Sequence, residues 1–294
     1  MDLSTTGVAP ADGKALAAAS TTVVLWASAF VAIRSAGDHF GPGALALGRL
    51  LVGAVALVGL LVYRREGLPP RSAWPGVVTS GVLWFGLYMV ALNWGEKQVD
   101  AGTAAMLVGI GPVLIALLGG WLLREGLPPK LLAGMAVSLA GAVVVGFSMS
   151  GGGGSSVLGI ALCLLAAVAY AAGVVSQKPA LRHASALQVT TFGCLIGAAA
   201  CLPFAPELVS DLAAAPLSAT LDVVYLGLFP TALAFTTWAY AISRTTAARM
   251  GAITYSVPAL VVLMAWLLLG EAPAMLTLAG GALCLAGVAV SRRG

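Results

Sequence analysis

Residues 101–123 read AGTAAMLVGIGPVLIALLGGWLL, a run without a single charged side chain. A helix of about 20 apolar residues is long enough to cross the hydrocarbon core of a bilayer. This stretch therefore predicts a transmembrane helix.

The rest of the chain has the same character. Of its 294 residues, 60% are hydrophobic and 9% are charged, whereas about a quarter of the residues of an ordinary soluble domain are charged. There are too few polar side chains to cover a surface that faces water. The composition excludes a folded soluble domain for catalysis or nucleic-acid binding.

Ten apolar segments, which we number one to ten, follow one another along the chain. They are residues 17–35, 42–63, 73–93, 101–123, 129–148, 157–176, 186–204, 219–241, 248–269 and 274–291. Their lengths and short connections predict an all-α membrane protein with ten transmembrane helices. The one flexible linker is the Gly/Ser run 151–156, near the midpoint.

The basic residues are distributed unequally between the two sides that ten alternating helices define. Twelve of the fifteen Lys and Arg residues lie on the side of the N-terminus, Arg34 and Lys97 lie on the opposite side, and Arg49 lies inside segment two. Short cytoplasmic connections carry the excess of basic residues in membrane proteins. The count predicts that both termini are cytoplasmic.

The second half of the sequence repeats the first. At an offset of 146 the matches are Pro112 with Pro258, Glu125 with Glu271, Gly134 with Gly280, and Ala140-Gly141 with Ala286-Gly287; at 144 they are Trp26 with Tyr170, Arg34 with Lys178 and His39 with His183. We therefore divide the chain into a first repeat (1–150), the linker (151–156) and a second repeat (157–294). Because each repeat holds five segments, the second must insert upside down, as in transporters built from inverted repeats.

These motifs carry a family resemblance over nearly the whole chain. Residues 101–112, 123–125, 134 and 140–141, with their recurrence in 247–287, resemble the EamA half-repeat of the drug/metabolite transporter superfamily, and so do Leu25–Phe30 and Gly48–Leu50. The resemblance implies ten helices around a central cavity and export of small metabolites. The length and aromatic content of the chain are most similar to those of YddG-type exporters of aromatic amino acids.

The function expected on this basis is export of small amphipathic metabolites, aromatic or apolar amino acids above all, by alternating access. A multidrug, cation or nucleoside-type transporter is the alternative, and an intramembrane enzyme is a third hypothesis. The expected setting is a bacterial inner membrane, with a small-molecule substrate and the lipid bilayer as partners and neither nucleic acid nor ATP.

Arg49 is the one full charge well inside an apolar segment, because the other charges within the segments lie within a few residues of a segment end. Its forked, permanently charged guanidinium suits a substrate carboxylate. It could equally bind carbonyl groups between helices or extend outward to the interface. The sequence leaves both interpretations open.

Aromatic side chains supply the other candidates for a substrate site. Trp26 and Phe30 share a helix face at i, i+4, and so do Trp84 and Tyr88. Tyr170, Trp238 and Tyr255 complete the predicted set with Arg49, because rings with polar atoms suit amphipathic guests. Alternatively, these Trp and Tyr side chains lie at the membrane–water interfaces, where both residue types are enriched.

Pro112 and Pro258 interrupt segments four and nine at equivalent positions. A proline inside a helix removes one backbone hydrogen bond and permits a bend. We predict paired hinges, with a static kink as the alternative.

The sequence offers few groups for catalysis or for coupling transport to an energy source. It lacks a phosphate-binding loop, its His residues lie at segment ends, its Cys residues have no metal-ligand spacing, and its carboxylates lie at ends or in connections. We therefore predict no enzyme activity, no cofactor and no metal, and facilitated movement as the simpler transport mode.

The topology can be tested by cysteine labelling in whole cells. A cysteine placed at Ser155, in the linker, should react with a membrane-impermeant maleimide added outside, whereas one at Ser291 should not. The opposite labelling pattern would contradict the predicted topology and the inverted repeat with it.

Overall fold

The computed structural model describes residues 13–122, 157–242, 244, 254, 256–271 and 274–291, with helical residues 129–130, 132–134, 136–137, 140–141 and 144 between them. Every regular element in these ranges is a helix. The helices are Gly13–Ala36, Pro42–Tyr63, Arg71–Glu96, Ala101–Val108, Gly111–Leu122, Val157–Ala180, Ala186–Ala200, Ala205–Ala214, Leu217–Ile242, Ser256–Leu269 and Met275–Ser291. The linker 151–156 and Tyr255 lie outside the described residues.

Six of the described helices are long and apolar enough to cross a membrane: those of segments one, two, three, four, six and eight. A seventh is the pair Ala186–Ala200 and Leu202–Ala214, bent by 53°. Helix Ser256–Leu269 is apolar but shorter than these spans. The all-helical prediction is confirmed for these ranges, and the count of ten stays a prediction.

Large apolar side chains cover the outer surface of the bundle. Val55, Val62, Trp266 and Leu267 each expose more than half of their area, at 75%, 70%, 58% and 65%. Lipid tails accept such a surface, whereas water would penalise it. The chain is a multi-pass membrane protein.

Local sequence explains where several helices begin. Asp100 caps segment four by accepting a hydrogen bond from the Thr103 amide at 2.8 Å. Ser185 and Gln188 form a reciprocal capping box at the start of segment seven. Pro42 occupies the first turn of segment two, where its missing N–H costs nothing.

The element boundaries repeat with the spacings seen in the sequence. Helices Gly13–Ala36 and Val157–Ala180 are 144 residues apart at both ends. Segments three and eight each contain a π-helical stretch, Gly81–Leu87 and Gly227–Leu233, and these are 146 residues apart. π-Helical turns are rare and are often found at functional sites.

Each π-helical stretch packs closely against a neighbouring helix through its first glycine. A Cβ at Gly81 would lie 3.0 Å from the Gly193 carbonyl oxygen of segment seven, and one at Gly227 would lie 2.7 Å from the Arg49 carbonyl oxygen of segment two. Gly193 is the repeat counterpart of Arg49. The same close helix pair therefore occurs twice, once in each half of the chain.

Contacts between connections agree with alternating helix directions. Arg34, after segment one, pairs with Glu271, after segment nine, at 2.7 Å. At the other end, Ser185 donates to Glu66 and the Gln188 side chain donates to the Gly67 carbonyl at 2.9 Å. Each contact joins connections that the alternation assigns to one side.

Substitution of Gly227 tests the packing of segment eight. In Gly227→Ala the new Cβ would lie 2.5 Å from the Val52 Cβ, so the helices must move apart, at a cost of about 1–3 kcal/mol of unfolding free energy. The melting temperature in detergent should fall. Gly59→Ala is the matched control, because a Cβ there meets nothing within 4 Å; an equal loss in both variants would contradict the packing argument.

Candidate functional site

Both halves of the chain contribute side chains to a cavity in the structure. Its wall combines side chains from segments one to four with side chains from segments six, eight and nine. The lining residues are Trp26, Ala29, Phe30, Ile33, Arg49, Trp84, Tyr88, Leu92, Ala105, Val108, Gly109, Pro112, Tyr170, Phe235, Thr254, Val257 and Pro258. Most of this wall is apolar, so it suits a guest with a hydrocarbon or aromatic portion.

An aromatic cluster forms one side of the cavity. The ring centroid of Trp84 lies 4.7 Å from that of Phe235, 5.4 Å from Tyr170 and 6.2 Å from Trp26. Tyr88 lies 5.9 Å from Tyr170. These tilted and edge-on arrangements are the ones that aromatic rings prefer.

Trp238 lies behind this wall rather than in it. Its ring is 3% exposed and lies 5.0 Å from Trp26, centroid to centroid. It supports the cavity-lining Trp26 from the second half of the chain. Of the predicted site residues, Trp26, Phe30, Arg49, Trp84, Tyr88 and Tyr170 line the cavity, Trp238 packs behind it, and Tyr255 lies outside the described residues.

Arg49 brings a charge into this apolar wall. Its side chain is 4% exposed, and its Nε donates a hydrogen bond to the Thr231 hydroxyl at 3.1 Å. No carboxylate forms an ion pair with it in the described part of the chain. The hydrogen bond fixes the guanidinium at the cavity.

The repeat counterpart of this charged position is filled differently. Gly193 replaces Arg49, and Phe85 stands where Thr231 stands in the other half. The Phe85 ring occupies the space beside Gly193, since a Cβ there would lie 3.0 Å from it. One half of the fold therefore contributes a cation and the other an aromatic ring.

Two indole nitrogens add unused hydrogen-bond donors. Nε1 of Trp26 and Nε1 of Trp238 are both buried without a hydrogen-bond partner among the described residues. A buried N–H without an acceptor costs free energy. A guest with an acceptor atom near Trp26 would recover it.

Both predicted hinge prolines lie in the cavity wall. Segment four breaks at Gly109 and Ile110, between helices Ala101–Val108 and Gly111–Leu122. Pro112 has no N–H to donate to the Val108 carbonyl, which explains the break. Pro258 lies in helix Ser256–Leu269 and packs close to Gly109, where a Cβ would lie 3.4 Å from the Pro258 ring.

Sequence reasoning missed Phe235, Thr231 and Glu96. Phe235 lies three residues before Trp238, so helical spacing could have identified it. Glu96 continues the series Trp84, Tyr88, Leu92 at steps of four, yet its place at a helix end concealed that it is 1% exposed. No short-range signal pairs Thr231 with Arg49, because they are 182 residues apart.

The chain is similar to known transporters over nearly its whole length. The model of the EamA-like transporter family matches residues 13–147 and again residues 157–293. The chain is 39% identical to a protein of Streptantibioticus cattleyicolor named probable terminal-alkyne amino-acid exporter, over 95% of this chain and 94% of the relative.

Two further similarities extend the comparison. A protein of Salmonella typhimurium named probable amino-acid metabolite efflux pump is 26% identical over 92% of this chain and 91% of its own length. A crystal structure that shares 24% sequence identity superimposes with a TM-score of 0.67 and covers 95% of this chain and 97% of its own. The latter likeness shows a shared fold.

Two aromatic residues of the cavity wall should contribute differently to the stability of the protein. Trp84 is 1% exposed and contacts rings from three other segments, so Trp84→Ala should cost roughly 3–5 kcal/mol of unfolding free energy. Tyr88 is only half-buried, so Tyr88→Ala should lower the unfolding free energy much less. Thermal unfolding in detergent separates them, with Tyr63→Ala as the control for an 84% exposed ring. Similar melting temperatures for the Trp84 and Tyr88 variants would contradict this assignment.

Proposed function

This chain belongs to the EamA-like transporter family, and from that premise we propose that it exports α-amino acids with apolar or aromatic side chains by alternating access. The observation that carries the proposal is Arg49, a buried guanidinium in the wall of a largely apolar cavity, for which the described residues provide no ion-pair partner. The names of two relatives, an amino-acid exporter and an amino-acid metabolite efflux pump, support the substrate class.

The carboxylate of the amino acid would bind Arg49. A buried cation without a partner is costly, and pairing with a carboxylate offsets that cost. The Thr231 hydroxyl holds Nε, so the guanidinium is oriented before the substrate arrives. The positive charge also disfavours the alternative of a cationic drug as substrate.

The side chain of the amino acid would lie against the rings. Trp26, Trp84, Tyr88 and Tyr170 offer apolar faces on one side of the cavity. The unpartnered Nε1 of Trp26 can donate to a carboxylate or carbonyl oxygen of the same guest. Apolar walls with a few fixed polar groups are typical of small-molecule sites.

The proposed architecture is ten helices in two inverted five-helix repeats, 1–150 and 157–294. It is supported by the equal spacing of helix boundaries, by the paired π-helical stretches and by the two ranges that match the family model. The distribution of Lys and Arg supports cytoplasmic termini, and a bacterial inner membrane is the proposed setting.

Alternating access would use the two halves as moving bodies. The cavity lies between them, and its wall contains Pro112 from one half and Pro258 from the other. Bending at these equivalent positions would open one side of the cavity and then the other. The hinge function is part of the proposal.

Flux through the purified protein in liposomes tests the function. The panel contains radiolabelled L-phenylalanine, L-tryptophan, L-leucine and L-propargylglycine, with choline and uridine to represent the alternatives. Efflux of the amino acids faster than from empty vesicles is expected. If choline or uridine alone crosses, the alternative transporter class is correct, and if nothing crosses, the proposal is wrong.

Substitutions of Arg49 test how the amino acid is recognised. Loss of a charge-assisted hydrogen bond worth about 1.5–3 kcal/mol in Arg49→Gln should weaken apparent affinity roughly tenfold to hundredfold. Arg49→Lys keeps the charge but lacks the forked geometry of the guanidinium. Its apparent affinity should therefore lie between those of the wild type and Arg49→Gln. Concentration dependence of efflux measures both, with the exposed Arg71→Gln as the control.

Decarboxylated analogues provide the internal check on this prediction. Phenethylamine, which lacks the carboxylate of phenylalanine and is a cation at neutral pH, should cross no more slowly in Arg49→Gln than in the wild type, because the wild type makes no ion pair with it. If Arg49→Gln impairs both compounds to the same extent, or prevents folding, Arg49 is a structural link between segments two and eight.

A further inference from the structure

Glu271 joins the second half of the chain to the first at the outer end of the bundle, which is the end opposite the N-terminus. Its Oε1 accepts a hydrogen bond from Arg34 Nε at 2.7 Å, and its Oε2 accepts one from the Ala101 amide at 3.3 Å. Arg34 Nη1 also donates to the Glu96 carbonyl oxygen at 2.9 Å. We call these four groups the outer cluster. Two of its three contacts join the halves, and both of these contacts are made by Glu271.

The ends of four helices bring the outer cluster together. The helix of segment three ends at Glu96 and that of segment four begins at Ala101, so this carbonyl and this amide are among the groups that a helix leaves without internal partners. Arg34 lies in the last turn of segment one. Gly270 ends segment nine with a φ of +71°, which glycine adopts without strain, and Glu271 follows directly. A cation at a helix C-terminus and an anion at a helix N-terminus are favoured by the helix dipoles.

The outer cluster bridges the cavity at its outer end. Segments one, three, four and nine all contribute side chains to the cavity wall, and the cluster joins the outer ends of the same four segments. Arg34 directly follows the lining residue Ile33, and Glu96 lies one helical turn beyond the lining residue Leu92. Ala101 is likewise one turn beyond a lining residue of segment four. A guest that leaves the cavity through this end must pass between these groups.

The contacts of the outer cluster can break reversibly. The side chains of Arg34 and Glu271 are 36% and 22% exposed, so both reach the surface at this end. Partly exposed ion pairs are weak, because water competes for both charges. Separation of the halves would transfer the two groups to water and would leave neither as a buried, unpaired ion.

The sequence repeat keeps both charges of the outer cluster. Lys178 is the counterpart of Arg34 at the offset of 144, and Glu125 is the counterpart of Glu271 at the offset of 146. Glu125 lies outside the described residues. The charge of Arg49, by contrast, has no counterpart in the other half. Two charges that occur in both halves favour a function that the halves share, whereas substrate recognition uses one half.

We propose that the outer cluster is the outer gate of the transporter. Glu271 holds the first half while the cavity is closed to the outer side, and its contacts with Arg34 and Ala101 break when the amino acid leaves. The inference rests on the proposed function, because it assigns the step of alternating access that releases the substrate outside. Loss of contacts that exist only in the outer-closed conformation must shift the population toward the outer-open one.

A cysteine in the cavity wall measures access from each side. Val108→Cys changes the side-chain volume little and lies at a half-buried position of the wall. Its rate of reaction with the membrane-impermeant reagent sulfonatoethyl methanethiosulfonate is measured from outside in whole cells and from inside in inverted membrane vesicles. The protein without this substitution gives the background from the four native cysteines.

Substitutions in the cluster should favour access from outside. Glu271→Gln replaces one accepting oxygen with a donor, so the contact with Ala101 or Arg34 is lost, and the outside rate should rise about threefold to tenfold without a rise in the inside rate. Arg34→Gln should have the same effect, whereas Arg34→Lys keeps the charge, as Lys178 does in the repeat, and should stay close to the wild type. Glu207→Gln is the matched control, because it makes the same change at an exposed carboxylate of the same end, outside the cluster.

The outcomes separate the gate from the function on which it rests. Amino-acid efflux by the wild type in liposomes decides the function, and the labelling rates decide the gate. An unchanged outside rate in Glu271→Gln and Arg34→Gln, or an equal rise in Glu207→Gln, would overturn the gate. A rise from both sides would show that the cluster only links the halves structurally. If one of the two variants does not fold, the other decides; if neither folds, the cluster is a structural link and the proposal is wrong.

Discussion

The close approach of segments eight and two at Gly227 is the contact on which the site depends. A side chain at Gly227 would collide with Val52 and with the Arg49 carbonyl oxygen, so only glycine permits this approach. The approach brings Thr231, one turn further along the π-helical stretch, within 3.1 Å of the Arg49 Nε. The position of the guanidinium at the cavity therefore follows from backbone packing of a kind that small residues permit between membrane helices.

The same helix pair occurs in both halves, and the difference between the halves makes the site asymmetric. Where segment two carries Arg49, segment seven carries Gly193, and the Phe85 ring occupies the space that Gly193 leaves. Phe85 in turn lies 4.6 Å from Phe235, centroid to centroid, which extends the aromatic wall. A duplicated scaffold thus holds one cationic and one aromatic side, as an amphipathic guest requires.

Two ionisable groups, Arg49 on segment two and Glu96 at the end of segment three, are buried near the cavity without ion-pair partners among the described residues. Neither arrangement stabilises the folded protein, because desolvation of an unpaired ion costs several kcal/mol. Groups that oppose stability are commonly found at functional sites. A bound carboxylate at Arg49 and a proton at Glu96 would each remove one of these costs.

The sequence by itself determined the membrane character, the helical class, the spacing of the repeat and most of the aromatic residues that line the cavity, because hydropathy and helical period are local properties. Trp26, Tyr88 and Arg49 could be named from their positions inside apolar segments. Only the tertiary structure decided that Trp238 lies behind the wall and that Thr231 holds Arg49, since both depend on packing between distant segments. The burial of Glu96 belongs to the same class: a carboxylate at a helix end looks exposed in sequence, and only the neighbouring helices and the Arg34–Glu271 pair remove it from water.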